Sequence, residues 1–295
     1  MCDTRDFREL LAAQWAQGKF VCVGLDTDFD KIPDTLHYRA VNDYDVIHKT
    51  ILHYNCAIVD ATRDIVGFYK PNIAFYEGYG QSALQALGDT IEYINNVAPA
   101  VPVILDAKRA DIGSTNEGYA RAAFGIYGAD AITVNPYFGH EALEPFLRWD
   151  KKGVFVLCRT SNPGASVFQD SIVMRPGTPA QSLLYQLIAQ QVAKHWNGSS
   201  NCGVVVGATY PEELQIVRTI VGDMPILIPG IGAQGGDLEK TIAAGKNSRG
   251  QGMIINSSRG IIFAKQQEDE SYADAARRET LTLHQSITKC LSSKE

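Results

Sequence analysis

Eight short apolar runs, rich in β-branched residues, recur along the chain: FVCVG (20–24), IVGFYK (65–70), VPVILD (101–106), AITVN (131–135), GVFVLC (153–158), GVVVG (203–207), PILIPG (225–230) and GMIIN (252–256). Each is nearly continuous in hydrophobicity, as expected of strands buried on both faces of a parallel sheet. Between them lie stretches with helical spacing of apolar residues, at 42–64, 141–152, 179–196 and 211–222. Thr209 ahead of Pro211 and Glu212, and Gly139 ahead of His140 and Glu141, carry the chemistry of helix starts. Eight strands, each followed by a helix, predict an α/β fold, a (β/α)8 TIM barrel forming a single domain over 1–295. A doubly wound open sheet is the alternative, since the pattern alone does not show closure. No solenoid-length repeat, low-complexity tract or interdomain linker interrupts the rhythm.

Two connections exceed the usual βα loop, 26–41 after the first strand and 159–179 after the fifth. Long βα loops of a barrel belong to its active-site face, and the glycine-containing 159–179 segment is a candidate lid. Residues 265–295 predict a charged, amphipathic closing helix with a frayed end.

Composition narrows the function. The 295 residues are 45% hydrophobic and 20% charged, with a net charge of −6. That balance argues against a nucleic-acid-coating protein but leaves room for a local cationic pocket. The start is charged and no apolar run approaches bilayer length, so no membrane partner and a cytoplasmic location are expected. Six cysteines at 2, 22, 56, 158, 202 and 290, without a CxxC pair, predict free thiols and neither disulfides nor a zinc site. His48 and His53 are expected to be structural, His140 to cap or orient a helix, and Arg109 to be exposed or paired locally.

Catalytic groups of a barrel gather where strands end. Those positions hold Asp26 after strand one, Lys70 after strand two, Asp106, Lys108 and Asp111 after strand three, Thr160 and Ser161 after strand five, Gln234 after strand seven and Arg259 after strand eight. Period-two alternation puts Asp106 and Lys108 on one side of their strand. Asp111 lies beyond the turn and returns either toward Lys108 or toward a neighbouring subunit. Charges this dense are costly to bury unless paired, so a structural ion-pair network and a catalytic array both fit. PGIGAQGGD (229–237) and NSSRG (256–260) supply glycine backbone N–H groups and the forked donor of Arg259 in neighbouring loops, which suits a phosphate. Neither has P-loop or dinucleotide spacing.

From VGLDTD (23–28) through FYKPN (68–72), LDAKRADIGST (105–115), LCRTSNPG (157–164) and PGIGAQGGD to SSRG (257–260), the chain resembles the orotidine 5′-phosphate decarboxylase family, in its longer subfamily. The resemblance implies loss of CO2 from orotidine 5′-phosphate to give UMP in de novo pyrimidine synthesis, with no metal or organic cofactor. It implies that Asp26 contacts the ribose, with Lys70 and Asn72 near the sugar and reaction centre. Asp106, Lys108 and Asp111 match the family's charged array, in which Lys108 stabilises and then protonates the C6 carbanion. Asp106, beside the departing carboxylate, either destabilises the ground state or positions Lys108. Thr160 and Ser161 match the segment that reads the pyrimidine edge, and Gln234 and Arg259 match the phosphate ligands. The family is dimeric, so a homodimer with shared sites is implied, Asp111 entering the partner's site with Ile112 and Thr115 beside it.

Three other readings compete. Mg²⁺-dependent phosphosugar decarboxylases and aldolases share DxKxxD but place an acidic metal ligand where this chain has Lys70, a cation that repels a divalent ion. A nucleotide-binding regulator without catalysis predicts a damaged Asp106–Asp111 array, whereas the array is whole. A sugar-phosphate isomerase rests on the phosphate loops alone.

Overall fold

A computed structural model describes residues 5–174, 181–231 and 237–292. The eight apolar runs all form strands: β1 (Val21–Leu25), β2 (Phe68–Pro71), β3 (Ile104–Arg109), β4 (Ala131–Val134), β5 (Gly153–Arg159), β6 (Cys202–Val206), β7 (Ile226–Pro229) and β8 (Met253–Ser257). They hydrogen-bond in the order β2-β1-β8-β7-β6-β5-β4-β3, all parallel. Parallel bridges Tyr69↔Val103 and Asn72↔Asp106 join β2 to β3 and close the ring. The closure decides for the (β/α)8 barrel over the open sheet. Side chains with almost no solvent exposure fill the ring and its contact with the surrounding helices, among them Val23, Phe68, Ile132, Phe155, Val204, Ile228 and Ile254.

The helix Phe7–Ala16 precedes β1, and Asp6 caps it by accepting the Arg8 N–H at 2.9 Å. It packs across the strand starts: the Phe7 ring meets Phe155 edge-on at 5.8 Å, and Trp15 Nε1 donates to the Met253 carbonyl at 2.9 Å. A Cβ on Gly153 would lie 2.6 Å from the Phe7 ring, so the first residue of β5 has to be glycine for this helix to seat. The strand starts are thereby closed, which leaves the strand ends as the open face.

Several boundaries differ from the sequence expectation. Strands β2 and β3 begin three residues later than their apolar runs, and β3 continues through Arg109. Lys70, Asp106 and Lys108 therefore lie within strands and not after them. The helix expected over 179–196 starts at Leu184, because Gln181–Leu183 pairs antiparallel with Ile172–Met174. It continues through a π-helical turn to Trp196. The helix expected from 141 spans His140–Leu147, and the closing helix starts at Tyr272. Ser271 and Asp274 cap that closing helix reciprocally: the Ser271 hydroxyl accepts the Asp274 N–H at 3.1 Å while Asp274 Oδ2 accepts the Ser271 N–H at 3.3 Å. Thr209 does not cap its helix; Tyr210 is the N-cap residue and Pro211 opens the first turn. Among the described residues, no helix is long and apolar enough to cross a membrane.

Candidate active site

At the open end, Asp106 on β3 stands between two ammonium groups. Lys70 Nζ, from β2, donates to Asp106 Oδ2 at 3.0 Å, and Lys108 Nζ donates to Asp106 Oδ1 at 2.6 Å. Asp26, just past β1, adds a second carboxylate 3.7 Å from Lys70 Nζ. The two lysines differ in surroundings. The Lys70 side chain is 3% exposed and that of Lys108 is 47% exposed. Burial alone would discharge Lys70, but Asp106 and Asp26 outweigh it and hold its pKa above the usual lysine value. Burial alone would likewise protonate Asp106, yet Lys70 and Lys108 together hold its carboxyl well below the ordinary range. The floor of the site is thus a lysine–aspartate–lysine row, Asp106 standing between Lys70 and Lys108.

Lys108 does not reach Asp106 by simple strand alternation. The β3–β4 register shifts between Leu105 and Arg109, and Lys108 has φ of +49°, in the left-handed region. The bulge turns Lys108 along the mouth of the barrel toward a cavity of about 450 Å³. Lys70, Asp106, Lys108 and Thr133 line its charged side, Leu157, Val205 and Leu227 its apolar side, and Thr160, Ser161 and Gln169 its far edge. A smaller cavity of about 130 Å³ shares Lys70, Asp106 and Pro229 with it, adds Asp26, and runs to Gly230, Ser258 and Arg259. The two make one cleft, with a larger end lined by charged, polar and apolar side chains and a smaller end that holds Arg259.

Most of the expected residues meet here, and some do not. Asp26, Lys70, Asp106, Lys108, Thr160, Ser161 and Arg259 line the cleft. Asn72 bridges to Asp106 through its backbone, while its side-chain oxygen accepts the Ala74 N–H at 3.2 Å. Asp111 stands apart from Lys108: its Oδ1 accepts the Ile112 N–H at 2.6 Å, and no ion pair reaches it among the described residues. Ile112 is 61% exposed and Thr115 is exposed beside it. Gln234 and most of the glycine run 232–236 lie outside the described residues, as do 175–179 of the candidate lid.

Three residues were missed by sequence reasoning. Gln169 clasps Thr160 by accepting its backbone N–H at 2.9 Å and donating to its hydroxyl at 2.9 Å. Arg159, buried at the end of β5, donates to Gln169 Oε1 at 3.3 Å and pairs with Asp170 at 3.1 Å, with its guanidinium 4.2 Å from the Tyr210 ring centroid. The edge of the cleft is therefore fastened from beneath. Behind it, a Cβ on Gly207 would come within 2.7 Å of Ser161 Cβ, so glycine is what lets β6 approach that loop. The third is Thr133, which donates to Asp106 Oδ1 at 2.9 Å. A lone polar residue in a loop or an apolar strand gave no signal for any of these.

The remaining candidates have local partners away from the cleft. Arg109 pairs with Glu77 and lies over Tyr119, with 5.3 Å to the ring centroid. His48 Nε2 is 2.7 Å from Asp89, His53 stands edge-on to Tyr38, and His140 opens its helix beside Trp196. The five described cysteines are free, and burial pushes the Cys158 and Cys202 thiols up to about 12.

Comparison with known proteins identifies the family and the fold. The family model described as "Orotidine 5'-phosphate decarboxylase / HUMPS family" matches residues 19–273. Orotidine 5′-phosphate decarboxylase of Cupriavidus taiwanensis is 47% identical over 284 residues, covering 96% of this chain and 98% of that protein. The solved OMP decarboxylase of Leishmania donovani superposes with a TM-score of 0.80 at 34% identity, covering 98% of this chain and all of that one. The UMP synthase of the same organism gives a TM-score of 0.82 at 36% identity over 99% of this chain, which spans 57% of that longer protein. The chain belongs to the orotidine 5′-phosphate decarboxylase family.

Proposed function

We propose that the chain decarboxylates orotidine 5′-phosphate to UMP, with Lys108 as the acid that protonates C6. The observation that carries this reading is the Lys70–Asp106–Lys108 row, in which a half-exposed ammonium is pinned by a buried carboxylate beside a cavity. Breaking the C6–carboxylate bond releases CO2 and leaves its electron pair on C6, where the ring offers little delocalisation. An ammonium already positioned there stabilises the developing charge without reorganisation and then transfers a proton to C6. The neutral amine regains its proton from solvent. Asp106 is spoken for by three donors, so its part is to hold Lys108 in place.

The rest of the cleft fits the substrate's other parts. Asp26 Oδ1 and Asn256 Oδ1 are buried oxygens without a hydrogen-bond donor among the described residues, as acceptors awaiting ribose hydroxyls. Arg259 and the Gly230 backbone form the end that suits a phosphate, and the family resemblance adds Gln234, which lies outside the described residues, as a further phosphate ligand. Thr160 and Ser161 offer polar groups to the pyrimidine edge, and Asn72 and Lys70 border the sugar. Binding energy from the remote phosphate would be realised in the transition state at the reaction centre. The Mg²⁺-dependent reading is disfavoured because Lys70 already sits between Asp26 and Asp106, where its charge opposes a divalent ion. No cofactor is needed for the steps above.

The active unit we propose is a homodimer in which Asp111, Ile112 and Thr115 complete the partner's site. Exposed Ile112, Tyr137 and Phe138 follow the adjacent strands β3 and β4, an apolar patch at the mouth that a second copy would cover. A cytoplasmic location without membrane or nucleic-acid partners goes with this reading. The test adds orotidine 5′-phosphate in the presence of chelator and follows its ultraviolet absorbance and the formation of UMP. Stoichiometric UMP is expected, and folded protein that forms none would overturn the assignment.

A further inference from the structure

The break in the β3–β4 ladder has one residue on the far side. Leu105 pairs with Ile132 and Arg109 with Val134, so Asp106, Ala107 and Lys108 on β3 stand opposite Thr133 alone. Thr133 touches all three. Its Oγ1 accepts the backbone N–H of Ala107 at 3.0 Å and of Lys108 at 2.9 Å, and donates to Asp106 Oδ1 at 2.9 Å. A hydroxyl has one proton and two lone pairs. Both backbone partners are donors, so both lone pairs are taken and the proton can go only to the carboxylate. Thr133 is 1% exposed, which shuts out water as a substitute partner.

We propose that Thr133 is a positioning residue for the decarboxylation, setting the Lys108 ammonium through the β3 bulge. Two ends of Lys108 depend on this hydroxyl. At the backbone, it takes the N–H of a residue held at φ +49°, a conformation that side chains rarely adopt without outside support. At the tip, it orients the same Asp106 oxygen that receives Lys108 Nζ. One side chain thus fixes both where the lysine leaves the strand and where its ammonium ends. Gly230 and Arg259, at the phosphate end of the cleft, follow β7 and β8 and line a cavity that Thr133 does not, so loss of the hydroxyl should spare binding. The inference rests on Lys108 being the proton donor, and its test separates the two.

Thr133→Val keeps the shape and removes every hydrogen bond. Since misplacement of a reacting group by about 1 Å costs roughly 10²-fold, kcat should fall about 10- to 100-fold. KM and the dissociation constant for UMP should stay within about threefold, by the same separation of positioning from binding. Thr133→Ser, which restores the hydroxyl, should bring kcat back to within a few-fold of the parent. Thr133→Cys, with a weak donor and acceptor of similar size, should fall between them and covers the case in which the valine variant does not fold. Parent-like kcat in the valine or cysteine variant overturns the proposal. So does a serine variant no better than valine, or UMP binding lost in step with kcat, since a merely structural residue gives those results. Lys108→Ala run alongside separates the failures: if it stays active the proton-donor reading falls, and if it is inactive while the Thr133 variants are intact only the positioning role falls.

Discussion

The floor of the cleft and its rim are built on opposite terms. On the floor, Asp106 receives donors from Lys70, Lys108 and Thr133, and the Lys70 side chain is almost entirely withdrawn from water. At the rim, Arg259 is exposed with no ion pair among the described residues, and Asp111 holds only the N–H of its neighbour while Ile112 faces solvent. A buried charge has to be satisfied inside the fold, so the floor is assembled when the barrel closes. Exposed charge costs little to leave unpaired, so the rim can wait for a substrate phosphate or a second copy of the chain. On the proposed function, the floor carries the chemistry ready-made and the rim carries recognition.

Variants of the floor should separate catalysis from stability. Lys108→Ala should lower kcat by at least about 10²- to 10⁴-fold, the usual worth of a positioned acid. Its half-exposed side chain contributes little burial, so the melting temperature should stay close to the parent's; decarboxylation near the parent rate would remove Lys108 from the mechanism. Lys70→Met should instead unfold more readily, by up to about 3–5 kcal/mol, because Asp106 Oδ2 loses its donor and Asp26 its cation, leaving Asp106 with Lys108 and Thr133. Denaturant titration measures the loss, and unchanged stability would show that Lys70 and Asp106 are not a buried pair. The pH dependence of the parent follows from the same pair. The raised Lys70 pKa contributes stability that is complete below its ordinary value of 10.5 and is lost as pH rises past it. The lowered Asp106 pKa contributes stability that is complete above 3.8 and is lost as pH falls below it. Between those limits the pair's contribution should be flat, and Lys70→Met should lose the alkaline limb that belongs to Lys70.

Floor and rim also differ in how far they could be read from sequence. All eight strands were legible, because a strand buried on both faces has to be apolar throughout. Asp106 and Lys108 were legible as charges at a strand end, yet for an incomplete reason. Alternation predicts that they share a side, whereas the contact is made by a bulge with Lys108 at positive φ. A bulge is a relation between two strands, so neither LDAKR nor AITVN records it alone. Thr133 consequently passes for an ordinary β-branched core residue. The hairpin that delays the helix to Leu184 was hidden in the same way, since its two strands are three residues each and gain meaning only by pairing. The Ser271–Asp274 cap was present in the sequence as S-x-x-D and lay within reach of the pattern rules. At the rim, Asp111, Ile112 and Thr115 owe their assignment to family resemblance, because one chain folded alone gives them no partner in the cleft.

Arg259→Ala tests the rim where it should meet phosphate. Removing one member of a desolvated charge pair costs about 2–5 kcal/mol, to be seen in kcat/KM and in UMP affinity. The loss should be absent from the unfolding free energy, since the free side chain is exposed. Added guanidinium should restore part of the activity, because the missing group is a discrete cation. Unchanged UMP affinity would take Arg259 out of the phosphate site and leave the smaller end of the cleft without its charge.

The finest distinction is between a rim completed by its own chain and one completed by the partner. Asp111→Ala should barely alter stability, within about 0.5 kcal/mol for a half-buried position without an ion pair among the described residues, but should inactivate the enzyme if Asp111 reaches a reacting centre. Mixed with Lys108→Ala chains and allowed to exchange, it should form heterodimers in about half of all dimers, by random pairing across a two-fold interface. In each heterodimer one site then carries both lesions and the other carries neither. About a quarter of the parent's total activity should return, half of the dimers having one of two sites intact. If Asp111 instead serves the site of its own chain, every site in the mixture keeps one lesion and nothing returns. Exchange confirmed by a tagged subunit, together with silent kinetics, would place Asp111 in its own chain's cleft and make the rim as self-contained as the floor.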